Sequence, residues 1–186
     1  MQEKEHVLKI LRETIISLKK EDSLKLKDLS NQTIHTATST QDPDSIALAV
    51  VVYSLSKIVE RKNYQKYPGW NKFHDVILQA INDAIISLEK DNFVKFKKDF
   101  ELIRNTINKL SGKLKDYIQE VFRKASINKA SRIYEHGISM EKTANLLGIT
   151  EWELANYAGQ TGISDVNLSK TKSAKERIKL AMEIFK

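Results

Sequence analysis

The side chains with the most selective chemistry in this chain lie close together. Between Gly137 and Gly162 it reads GISMEKTANLLGITEWELANYAGQTG, and Asn156 there carries a carboxamide able to donate to and accept from one adenine edge at once. Glu151, Trp152 and Ala155 are spaced to share its side of a helix. Lys142 within the stretch, Lys129 and Arg132 before it, and Lys170 and Lys172 after it are cations of the kind that hold phosphate oxygens. Glu151 and Glu153 work the other way, since carboxylates repel phosphate. A second polar cluster lies in SNQTIHTATSTQDPD, where His35, Thr36, Thr38, Ser39, Thr40 and Asp42 could line a small-molecule or phosphate site. One histidine and scattered hydroxyls do not assemble a nucleophile, a base and an orienting group. The stretch 30–45 therefore reads as caps and loop, and no catalytic residue is assigned. With no cysteine there is no thiolate nucleophile, disulfide or Cys-ligated zinc. No enzyme activity, metal or cofactor is expected.

Local signals explain how the first cluster would be held. Ser139 can cap a short helix with Met140, Thr143, Ala144 and Leu147 on one face, and Gly148 suits its C-terminal turn. Thr150 opens a second helix. Thr150 and Glu153 are spaced as a capping box, and Ile149 and Leu154 as a hydrophobic staple. Ala144 is small enough to let two short helices cross closely. Together these predict a helix-turn-helix, with the long helix before it, Lys113 to His136, completing a three-helix unit. Such a unit commonly lays its second helix in the DNA major groove, but it also serves as a structural corner or a protein-binding module. Trp152 has a plainer reading too, as core or as a subunit contact.

The run from Ala130 to Asp165 also resembles small prokaryotic helix-turn-helix antitoxins, found chiefly in archaea and cyanobacteria and associated with PIN-domain ribonuclease toxins. The shared features are A-x-x-x-Y-x-x-G-I-S, the A-x-L-x-G-I-T turn, the W-E-L start of the second helix and T-G-I-S-D at the end. The resemblance covers about a fifth of the chain. It implies binding to double-stranded DNA, autoregulation of transcription or neutralisation of a toxin.

The rest of the chain reads as all-α: a helical bundle over 1–110, then over 113–186 the helix-turn-helix region with a C-terminal amphipathic helix. Two prolines and six glycines leave long runs whose apolar residues recur three and four apart. Expected helices are Lys4 to Lys20, a short one capped by Ser23, an apolar central one from Ser45 to Arg61 with Asp42 and Pro43 at its start, one from Asn71 to Lys90, and one carrying Phe93, Phe96, Phe100, Ile103, Ile107 and Leu110 as a seam. Tyr64, Tyr67, Trp70 and Phe73 surround a Pro-Gly turn, where they read as plugs of the bundle's end more readily than as a platform for single-stranded nucleic acid. Ala174 to Phe185 completes the list. No internal repeat is expected, and Ser111 and Gly112 mark the boundary.

There are 31 Lys and Arg against 24 Asp and Glu, a net charge of +7, which permits an anionic partner. The N-terminus is too charged for a signal peptide, and no stretch has the apolar length of a membrane span. A cytoplasmic protein without a membrane partner is expected. The function read from the sequence is a DNA-binding transcriptional regulator of antitoxin-like type, its N-terminal bundle forming a homodimer or binding a protein such as a toxin. The alternative is a protein–protein adaptor whose helix-turn-helix is structural.

Overall fold

In the computed structural model, residues 3–161 are described apart from 41, 137 and 148. Regular structure among them is helical throughout: α1 (Lys4–Lys19), α2 (Ser23–Thr40), α3 (Pro43–Glu60), a 3-10 turn (Lys62–Lys66), α4 (Trp70–Glu89), α5 (Phe93–Lys109), α6 (Gly112–Glu135), α7 (Met140–Leu147) and α8 (Glu151–Thr161). No described helix is long and apolar enough to cross a membrane. The expected helix from Ala174 to Phe185 and the bases Lys170 and Lys172 lie outside the described residues, as do Gly137, Gly148 and Gly162.

The Ser/Thr-rich stretch is not a loop. It continues α2 to Thr40. The hydroxyls do not break the helix because they bond within it: Thr33 Oγ1 donates to the Leu29 carbonyl at 2.8 Å and Thr36 Oγ1 to that of Gln32 at 3.3 Å. Ser30 donates outward instead, to the Ala49 carbonyl of α3 at 2.6 Å. Small buried residues, Ser30, Thr33 and Ala37 facing Ser45 and Ala49, let α2 and α3 pack closely. Asp42 caps α3 as its sequence predicts, with Pro43 at the first helical position. The cap of α2 is Asp22, whose carboxylate accepts the Lys25 amide at 2.9 Å; Ser23 is already inside the helix.

No internal repeat is expected from the sequence, yet one short helix–turn–helix hairpin occurs twice in the bundle. Ile15-Ile16-Ser17-Leu18 before the first turn returns as Ile85-Ile86-Ser87-Leu88 before the fourth helix ends, followed in each case by Lys20 or Lys90 and then an acidic residue. The backbone repeats with it. Glu21 and Asp91 both take left-handed φ, 51° and 54°. The amide of Asp22 bonds the Ser17 carbonyl and that of Asn92 the Ser87 carbonyl, while Glu21 and Asp91 bond Leu18 and Leu88, a Schellman turn made twice. Asp22 then caps α2 and Asn92 caps α5. The hairpin α1–turn–α2 thus recurs as α4–turn–α5, and α1 packs on α4 while α3 packs on α6. Lys4 at the start of α1 pairs with Asp91 beyond the end of α4 at 2.6 Å, whereas Glu21 beyond α1 feels His74 near the start of α4. The α1–α4 pair is therefore antiparallel.

One core joins the six helices, from Val7, Ile10 and Leu11 on α1 to Leu114, Ile118 and Val121 on α6. The turn at Ser111 and Gly112 separates helices, but not cores. Tyr64 and Phe73 are buried, with Tyr64 stacked on Tyr117 and against Trp70, so the aromatic segment plugs the bundle. Phe96, Ile103 and Ile107 of the α5 seam likewise pack inside this chain. A second, smaller cluster, Ile34, Ala37, Ile46 and Ala49 with Ile133 and Ile138, fastens the end of α6 and the start of the corner to α2 and α3.

Candidate nucleic-acid interface

The corner forms by the local rules its sequence carries. The Lys142 amide donates to Ser139 Oγ at 3.3 Å and the Thr143 amide to the Ser139 carbonyl, which starts α7. At α8 the capping box is complete: the Glu153 amide donates to Thr150 Oγ1 at 3.1 Å and the Thr150 amide to Glu153 Oε2 at 3.0 Å. Buried Thr143 and Ala144 let α7 lie against its neighbours, and buried Leu154 and Ala158 seat α8. The long helix α6 contacts both α7 and α8. Two side-chain bonds brace α8 from α6: Arg123 to Glu153 at 2.9 Å, and Asn128 to the Tyr157 hydroxyl at 3.1 Å.

Opposite Leu154 and Ala158, α8 is uncovered among the described residues along its whole length. Glu151, Trp152, Ala155, Asn156, Gly159 and Gln160 are all exposed, Trp152 to 74%. Trp152 is therefore not core. Asn156 and Gln160, one turn apart, place two carboxamides side by side, with Gln160 Nε2 3.4 Å from Asn156 Oδ1. Glu153 is taken out of play by its bonds to Thr150 and Arg123, and those to Thr150 are the main reason its carboxyl is held below the usual range. Glu151 alone leaves a carboxylate on the open face.

The cations expected to serve this face are not placed alike. Lys142 is exposed on α7, where Glu141, Lys142, Asn145 and Leu146 line a shallow open depression. Arg132 is exposed and paired with Glu135 at 3.0 Å. Lys129, expected to contact phosphate, is instead fully buried on the side of α6 that faces α2 and α3. Its helix positions it there: Ala125, Ala130 and Ile133 belong to the buried side, and Lys129 falls among them. The sequence reading missed Gln160, although its spacing from Asn156 was a legible sign. It also missed Arg123, whose link to Glu153 spans thirty positions and leaves no local trace.

The assembled surface can hydrogen-bond through two carboxamides and stack or bury an indole. No group of His, Asp or Glu among the described residues could hold a metal ion. Compared with protein-family models, with curated proteins and with solved structures, the chain gives no match to support or oppose these roles.

Proposed function

We propose that the protein is a DNA-binding regulator that inserts α8 into the major groove. The observation that carries this reading is the open face of α8. A helix entering a groove needs one face free from end to end, and Asn156 and Gln160 on it suit adenine edges. Lys142 on α7 and Arg132 on α6 are exposed, as cations that meet phosphates must be, and a net charge of +7 favours approach to a polyanion. Binding to duplexes selected from a random pool tests it. Affinity should fall steeply between low and moderate salt, and Lys142→Glu should weaken it on the order of tenfold. Asn156→Ala should cost about 1–3 kcal/mol at one base position while sparing the others. Equal binding by wild type and Lys142→Glu at low salt would remove this face from the interface.

A second reading, a protein adaptor docking through α8, is favoured by Trp152. Tryptophan is among the residue types enriched at the energetic centres of protein interfaces. Here Trp152→Ala would abolish capture of a protein partner, and duplex binding would stay at background in the wild type.

A further inference from the structure

Among the described residues Lys129 is buried and joins no salt bridge, and it occupies the place where α6 meets α2 and α3. We propose that Lys129 is a proton-operated latch: with its amine neutral α6 is seated on α2 and α3, and when the amine is charged α6 and the helix-turn-helix it carries loosen from the bundle.

The site has the geometry of a latch. The Lys129 side chain is fully buried. Its Nζ donates to Asn31 Oδ1 of α2 at 2.9 Å and stands 4.2 Å from the centre of the Tyr53 ring of α3. A neutral amine fits there, because one hydrogen bond and a ring face satisfy it. A charged one is poorly compensated. Among the described residues the charges that act on it are Arg132 from its own helix and Lys27 from α2, both of like sign. On α3, Lys57 lies 5.7 Å from the same ring and is itself paired with Glu60. Tyr157 is the titratable group that α8 brings nearby, held through Asn128. A buried cation without a counter-ion is costly, and stacking on the ring repays only part of that cost.

Relief requires water, and Lys129 can reach water only if this side of α6 lifts. The opposite contacts travel with it. Asn128 and Arg123 hold α8, while Ile133 lies in the cluster with Ile138 that Leu146 and Leu147 cover. The latch acts on the seating of the corner whatever α8 binds.

Amide hydrogen exchange of the full chain at pH 8.5 and pH 6, corrected for intrinsic rates, tests the latch. Protection across 125–135 and 151–158 should fall about tenfold or more at the lower pH, one pH unit being a factor of ten in proton binding. Lys129→Met should keep high protection at both pH values, and Lys129→Arg, always charged, low protection at both. His35 and His136 meet edge to face 5.8 Å apart between α2 and the end of α6, a second contact between the same elements. The double variant His35→Gln/His136→Gln should retain the fall. Unchanged wild-type protection, or a fall that persists in Lys129→Met, would overturn the proposal. Should a variant not fold, the ε-carbon resonance of Lys129 in the wild type decides: it must titrate near neutrality, and a lysine still charged at pH 9 refutes the latch.

Discussion

At the scale of single residues, burial decides what a cation can do. Desolvation lowers Lys129 from 10.5 to about 7, with Arg132 and Lys27 adding to the shift. Below that value both folded and unfolded chains hold the proton, and the fold bears the whole cost of the buried charge. Between about 7 and 10.5 the folded chain has released a proton that the unfolded chain still binds, so stability rises with pH through this window. Urea unfolding of the wild type should therefore become harder from pH 7 towards pH 9. Lys129→Met should lack that contribution and should exceed the wild type most clearly below pH 7. Thr150 is a second case. Its hydroxyl satisfies the amide of Glu153, and Thr150→Ala should lower stability by about 1 kcal/mol in thermal denaturation. The pairing of Thr150 and Glu153 was legible because a capping box spans four residues. That Lys129 is buried was not, because its face of α6 is set by packing against α2 and α3.

At the scale of elements, side-chain size sets how closely helices approach. Ser30, Thr33 and Ala37 bring α2 against α3, whereas Phe96, Ile103 and Ile107 carry the packing of α5. Ala37→Leu should overpack the α2–α3 contact and cost about 1–3 kcal/mol, measured by chemical denaturation. The two Schellman turns offer a paired test. Glu21 and Asp91 hold a backbone conformation that favours glycine, and each reaches outside its own hairpin, Glu21 to Lys62 and Asp91 to Lys4. Relief of the left-handed strain should outweigh loss of an exposed ion pair. Either residue changed to glycine should raise the melting temperature slightly, and by similar amounts if the turns are equivalent. The polar run 30–45 misled because serine and threonine favour caps and loops in isolation. In α2 their hydroxyls bond back to the helix or across to α3, and their small size is what the close packing uses.

At the scale of the whole molecule, α6 ties the parts together. Its first half lies in the main core through Leu114, Ile118 and Val121, and Ile133 near its end joins the cluster beneath the corner. Bundle and corner should then unfold together at pH 8. In a Trp152→Phe chain, the transition seen by Trp70 fluorescence should coincide with that seen by far-UV circular dichroism, and separate transitions would mean separable units. Sequence by itself determined the all-helical class, because apolar residues three and four apart dictate helices wherever proline and glycine are scarce. It also determined the bend at Thr150 and the end plug of Tyr64 and Phe73, since caps and turn-flanking aromatics act over a few residues. Only the tertiary structure decided that α1 packs on α4 and α3 on α6, that among the described residues α8 leaves Trp152, Asn156 and Gln160 exposed, and that Lys129 faces inward. Those outcomes depend on which faces meet across long separations, and that is settled when six helices bury one core together.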